Sequence, residues 1–214
     1  MRSLTDASPS PSRVPTHGSG PMWLATPSSW GTFTSYSLPV LIGAPKLKNY
    51  EATSVPMLTS VTSTSERPDL VPLVARWLWD AFWSESGKSS DDLLEAVRKS
   101  VTARPMPRTF ILLANGEPVG TASLVAHDLD ERPDLGPWLA GMFVVPHARG
   151  QGYAARLIAA VEAEACAASI STLWLYTNTA EHIYVRAGWQ TAGTIQHNGK
   201  PFVLMRREIC FRKQ

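Results

Sequence analysis

The sequence predicts a mixed α/β fold, with a mostly antiparallel central sheet flanked by helices. Two Asn-Gly pairs, Asn115-Gly116 and Asn198-Gly199, each separate a pair of β-rich runs, 109–114 from 118–126 and 191–197 from 202–207. Both residue types tolerate the positive φ of a tight turn, so each pair marks an antiparallel hairpin. Other stretches carry apolar residues at helical spacing, which supplies the flanking helices. With 214 residues, 44% of them hydrophobic and 18% charged, the chain holds one substantial core plus an extension.

Residues 1–55 are crowded with Ser, Thr, Pro and Gly, as in Ser8-Pro9-Ser10-Pro11-Ser12, and are expected to be a disordered extension. Trp23, Trp30, Phe33 and Tyr36 are unusual in such a segment. The folded domain is expected over 56–214. It opens with a short strand at 57–62, followed by a helix that Pro68 can start and that carries Leu70, Val74, Trp77, Leu78 and Ala81 on one face. A second helix follows, with Ser90 as its cap, Asp91 and Asp92 at its positive end, and Arg98 and Lys99 at its negative end. After the first hairpin comes an acidic loop, His127 to Pro137, which sets Asp128, Asp130, Glu131 and Asp134 against Arg132. Such a loop either attracts a protonated amine or is a solvated surface turn.

A net charge of +2 argues against a dedicated nucleic-acid binder. Cys166 and Cys210 stand alone without metal-ligand spacing, so the sequence offers neither a disulfide framework nor a zinc site. No signal-peptide run or membrane span is evident, and the chain reads as soluble and cytoplasmic.

The most telling stretch is 144–154, where a strand over 138–145 breaks at Pro146, turns through Gly150 and Gly152, and opens into a helix carrying Leu157, Ile158, Val161, Ala165 and Ala168. Helix-end amides and the macrodipole favour an anion there, glycines let the backbone come close, and Arg149 can fork onto a phosphate.

Arg149-x-x-Gly152-x-Ala154, preceded by Val-x-Pro, resembles the (Gln/Arg)-x-x-Gly-x-(Gly/Ala) signature of the GNAT superfamily of N-acetyltransferases. After a strand-like run at 171–177, Ala180 to Trp189 resembles the family's Ala-x-x-x-Tyr-x-x-x-Gly-(aromatic) segment. The resemblance covers roughly residues 57–209 and implies a GNAT-like acyltransferase fold with acetyl-coenzyme A as co-substrate, no metal being called for. It implies that the pyrophosphate lies on Arg149, Gly150, Gln151, Gly152, Tyr153 and Ala154. It also places the pantetheine and thioester along the backbone of Phe143, Val144 and Val145, with Asn178 as a polar contact to the cofactor arm unless it is simply a helix cap. Tyr184 falls at the general-acid position, aimed at the thioester sulfur, unless it is an interior tyrosine satisfied by a backbone carbonyl. The resemblance puts the first helices and the acidic loop near the acceptor. Trp79, Phe82 and Trp83 are then pocket walls or core, and Asp130, Glu131 and Asp134 are substrate contacts.

Many family members carry a Glu on the cradle strand, whereas Leu139-Ala140-Gly141-Met142-Phe143 has no titratable group. The base is left among His127, Asp130, Glu131 and Asp134. The implied function is acetyl transfer to a primary amine of a small molecule or peptide by a monomer or homodimer, with no nucleic acid and no membrane involved. A coenzyme A binding module without turnover, or a protein-interaction domain, are the alternatives.

Overall fold

The computed structural model describes residues 58–85 and 89–210, so the expected extension over 1–55 lies outside the described residues. β1 (Thr59–Ser63) leads to a 3-10 turn at Pro68–Leu70, α1 (Val71–Leu78) and a wider π-helical turn at Trp79–Trp83. Leu70, Val74 and Leu78 are buried as the apolar stripe requires. Ala81 is exposed instead, because the widened turn carries it off that stripe. In α2 (Ser90–Lys99) the N-cap is Ser89 rather than Ser90. The Ser89 hydroxyl accepts the Asp92 N–H at 3.1 Å while the Asp92 carboxylate accepts the Ser89 N–H at 3.2 Å, a reciprocal capping box.

Then follow β2 (Arg108–Ala114), β3 (Glu117–Val125), β4 (Trp138–Val144), a 3-10 turn at Pro146–Ala148, and α3 (Tyr153–Ala167). β5 (Thr172–Thr177), α4 (Glu181–Arg186), β6 (Gln190–His197) and β7 (Lys200–Glu208) complete the domain. The strands form one seven-stranded sheet in the order β1-β2-β3-β4-β5-β7-β6. Every neighbouring pair is antiparallel except β4 and β5, which are joined through α3 and run parallel. Both hairpins are as expected, with φ of 50° at Asn115 and Asn198, 85° at Gly116 and 72° at Gly199.

Alternation along the strands divides the core between the two faces of the sheet. Phe110 and Leu112 of β2 join Leu173 and Leu175 of β5 under α3, which buries Leu157, Ile158, Val161 and Ala165. Each large apolar side chain so buried contributes about 1.5–3 kcal/mol. On the other face, Ile111 of β2 packs under α1 and α2 with Val74, Leu78 and Val97. A smaller cluster on that face, farther along the sheet, unites Leu129, Trp138 and Leu204.

The expectation that the cysteines form no bridge is corrected: Cys166 and Cys210 are joined by a disulfide, with Cα atoms 5.7 Å apart. α3 ends just before β5 begins, and Thr172 of β5 lies opposite Glu208 of β7, so the last turn of α3 and the residues after β7 meet. Among the described residues no helix is long and apolar enough to cross a membrane.

Behind α4, Gly188 has φ of +85° and its carbonyl accepts Nη1 of Arg207 at 2.7 Å, while a Cβ at this position would fall on that same nitrogen. Gly188→Ala is therefore expected to cost about 1–3 kcal/mol, from left-handed strain and from displacing the guanidinium. Urea unfolding checks this, and an unchanged midpoint contradicts it.

Candidate active site

β4 and β5 pair at one position, Trp138 opposite Trp174, where the Trp174 N–H donates to the Pro137 carbonyl at 3.0 Å. Beyond it the two strands part. β4 is bulged: Thr121 lies opposite Phe143 and Ser123 opposite Ala140, so Gly141 and Met142 together face Ala122. Gly141 absorbs the bulge with φ of +59°, and a Cβ there would press on Leu78 of α1 at 3.2 Å. The bulge bends β4 and strengthens its twist. From Leu139 onward, the β4 edge facing β5 has no strand partner among the described residues, and its backbone groups other than the Val144 carbonyl, which Arg149 takes, are not paired to a strand.

Because the pair is parallel, the carboxyl ends of both strands lie at the open end, where α/β sheets bind ligands. The turn after β4 carries Gly150 (φ +80°) and Gly152 (φ +75°), and a Cβ at either would meet nothing within 4 Å. Gly152 is the N-cap of α3, with no side-chain cap and no acidic residue in the first turn. The first amides of α3 thus remain open to an anion. Arg149 turns its Nε onto the Val144 carbonyl at 3.0 Å, which pins the guanidinium beside the end of β4. Gln151 is exposed and Ala154 half-buried, both on this turn.

Two expectations about the cradle change. Val145 donates its N–H to the Val119 carbonyl at 3.0 Å, so that amide is committed to β3 and cannot serve a thioester. Tyr153 is 6% exposed and its ring lies in the core, so its contribution to the loop is its backbone N–H. Phe143 stays half-buried on the bulged strand, its ring 5.7 Å from that of Trp77. Trp77 is thus the α1 aromatic set against β4. Trp79 and Trp83 are half-buried on the widened turn and Phe82 is 54% exposed.

The turn after β5 leads directly into α4, where the Thr177 hydroxyl accepts the Ala180 N–H at 3.1 Å. Ala180 is the N-cap, so Asn178 is not the helix cap and stands exposed at the mouth of the split. Tyr184 is 6% exposed, and burial pushes its phenol up to about 12. Its ring meets Trp189 edge-on at 6.1 Å. No hydrogen bond holds its hydroxyl among the described residues, so the backbone-carbonyl partner of an ordinary interior tyrosine is not present.

The acidic loop lies at the opposite end of β4, over β5, β7 and β6. Arg132 grips Asp134 through both oxygens at 2.8 and 2.7 Å, and Glu131 meets Nδ1 of His197 at 2.9 Å. These hydrogen bonds hold both carboxyls below the usual carboxylate range. Asp130 is exposed. Beneath the loop, Tyr176 packs 5.4 Å from His197 and 5.5 Å from Phe202, and burial together with Asp128 and Glu131 pushes its phenol up. The sequence carried a signal for this trio, since Tyr176 alternates with the core residues Leu175 and Thr177, while His197 and Phe202 flank a hairpin turn. A cleft of about 270 Å³ runs beside the loop, lined by Met106, His127, Asp134 and Pro137 among others. Among the described residues, no cluster of His, Cys, Asp and Glu suited to a metal occurs.

Solved structures share this architecture. The chain is similar to an aminoglycoside 6'-N-acetyltransferase complexed with coenzyme A, at 17% identity and a TM-score of 0.58 over 72% of this chain and 99% of that one. It is similar to the aminoglycoside 6'-N-acetyltransferase from Enterococcus faecium, at 16% identity and 0.55 over 74% and 100%. It also resembles a spermidine N-acetyltransferase mutant from Vibrio cholerae, at 16% identity and 0.54 over 70% and 93%. No curated protein matches in sequence. At these identities the structures share a fold. Residues 106–191, which span the bulged strand, the glycine turn and the tyrosine-bearing helix, match the family model described as "Acetyltransferase (GNAT) domain", so over those residues the chain carries a GNAT acetyltransferase domain.

Proposed function

We propose that this chain moves an acetyl group from acetyl-coenzyme A to the primary amine of a small-molecule or peptide acceptor. The observation that carries this reading is the coincidence, at the open end of the β4–β5 split, of a glycine turn with uncapped helix amides and a tyrosine-bearing helix. The residues fit the cofactor. Open space at Gly150 and Gly152 and the absence of acid in the first turn of α3 suit a diphosphate. Arg149 adds a positive charge, the free edge of β4 around Phe143 offers backbone groups to the amides of a pantetheine arm, and Asn178 stands at the mouth.

When bound, acetyl-coenzyme A supplies an activated acetyl carbon and a thiolate leaving group. The acceptor nitrogen forms the new C–N bond as the C–S bond breaks. Tyr184, protonated at neutral pH, donates its O–H to the sulfur as a hydrogen bond that strengthens as charge builds there, and any proton it passes on is replaced from water. The amine proton leaves toward water or toward the loop, because β4 has no carboxylate. Within the loop, Glu131 and Asp134 are the weaker bases, since their partners hold them ionised. That leaves His127, on the cleft, and Asp130.

Support for a cationic acceptor comes from the loop carboxylates and from the similar structures, which are aminoglycoside and spermidine acetyltransferases. Asp130, Glu131 and Asp134 draw in protonated amines, although the partners of Glu131 and Asp134 weaken that field. Trp77, against Phe143, is a better wall for the acceptor than Trp83.

Gly152→Asp is expected to raise the dissociation constant for acetyl-coenzyme A on the order of a hundredfold while the fold survives, because the new carboxylate faces the diphosphate. Calorimetric titration checks it; unchanged affinity removes the cradle.

Tyr184→Phe is expected to lower single-turnover rate by about one to four powers of ten without lowering the melting temperature, since no partner of the hydroxyl is orphaned. In the unmodified protein the pH–rate profile should rise as the amine deprotonates. It should show no falling limb below about pH 10, since the acid titrates near 12. A limb near pH 8 would assign the acid elsewhere.

A further inference from the structure

We propose that Glu162, on α3, is a positioning residue for Tyr184, acting through the indole of Trp189; this rests on Tyr184 being the proton donor. α4 is six residues long, too short to hold its own orientation, so whatever packs against it decides where the phenol stands. Trp189 provides that packing. It reaches back to α4 through its backbone N–H, which donates to the Tyr184 carbonyl at 3.0 Å, and its ring lies 6.1 Å from the phenol ring.

Trp189 is itself fixed by its indole N–H, which donates to Oε1 of Glu162 at 2.9 Å. The same oxygen faces Nε of Arg207 at 3.2 Å. That nitrogen is buried and out of line for a hydrogen bond, so the attraction there is coulombic. Arg207 closes the circuit by donating Nη1 to the Gly188 carbonyl at 2.7 Å, one residue before Trp189. A carboxylate acceptor makes the indole bond charge-assisted, stronger than a neutral one. The side chain of Glu162 is 20% exposed, so water competes little for it. Two further ties hold the start of α4, the Ala180 N–H to the Thr177 hydroxyl at 3.1 Å and the Thr191 hydroxyl to Glu181 at 2.7 Å, the latter on the surface; neither reaches the turn that carries Tyr184.

Glu162 also belongs to the helix whose first turn forms the cradle. α3 is one continuous helix of 15 residues, so the carboxylate that holds Trp189 is rigidly placed relative to the diphosphate site. The proton donor is thereby registered against the cofactor through α3 rather than through the loop that joins β5 to α4.

The test measures single-turnover rate, acetyl-coenzyme A affinity and melting temperature for Glu162→Ala, Glu162→Gln and Trp189→Phe, each made in the native chain and in the Tyr184→Phe chain. Glu162→Ala and Trp189→Phe should each slow turnover about threefold to tenfold with cofactor affinity unchanged, the scale of one lost hydrogen bond. Glu162→Gln, which keeps an oxygen for the indole, should recover most of that loss. In the Tyr184→Phe chain the same substitutions should cost nothing further, as expected of residues that act through one group. Equal slowing in both chains, or none in the native chain, overturns the proposal. A native rate for Tyr184→Phe alone instead removes the proton-donor reading, and the proposal falls with it. Should Glu162→Ala fail to fold, Trp189→Phe decides the matter by the same comparison between the two chains, since it removes the indole N–H donor, together with part of the buried ring, without changing any residue of α3.

Discussion

Because β4 and β5 meet at Trp138 and Trp174 and nowhere beyond, the sheet is closed at one end and open at the other. A sheet rarely leaves the backbone of an interior strand unpaired, since each unpaired group loses a hydrogen bond that water must replace. The closed end is correspondingly well held: Trp138 is fully buried and its indole N–H donates to the Leu135 carbonyl at 3.1 Å. The Gly141 bulge lies where the strands part, and a Cβ there would press on Leu78 at 3.2 Å. Fold and function thus share one constraint. The cofactor, on this account, completes a sheet that the chain leaves incomplete.

α3 connects the two halves of the site. Its first turn is the cradle, its middle carries the core residues Leu157 and Val161 and the carboxylate of Glu162, and its last turn is bridged to the end of β7 through Cys166 and Cys210. A helix buried along one face and tied at its far end does not shift independently of the sheet.

Much of this was legible in the sequence, and the reasons differ by residue. The hairpins at Asn115-Gly116 and Asn198-Gly199 and the stripe of α3 are local signals, and the structure places them where their chemistry requires. The turn into α3 was legible because proline, glycine and helix follow one another directly. What local pattern could not supply was commitment to distant partners. Nothing near Val145 says that its amide belongs to Val119, nothing near Glu131 points to His197, and Cys166 is 44 residues from its partner. Choosing Ser90 over Ser89 as the cap was a choice between adjacent serines that only the Asp92 spacing distinguishes. Gly141 did carry a signal, an isolated glycine inside an apolar strand, which is where bulges occur.

The central claim is that coenzyme A fills the split between β4 and β5 with its diphosphate on the glycine turn. Amide hydrogen exchange of the full chain, with and without acetyl-coenzyme A, reads this directly, because unpaired strand edges and helix ends exchange quickly until a ligand covers them. The account predicts that the cofactor slows exchange in residues 140–144 and 150–155 together. Protection confined to the loop over 127–137, or none at either segment, would contradict it.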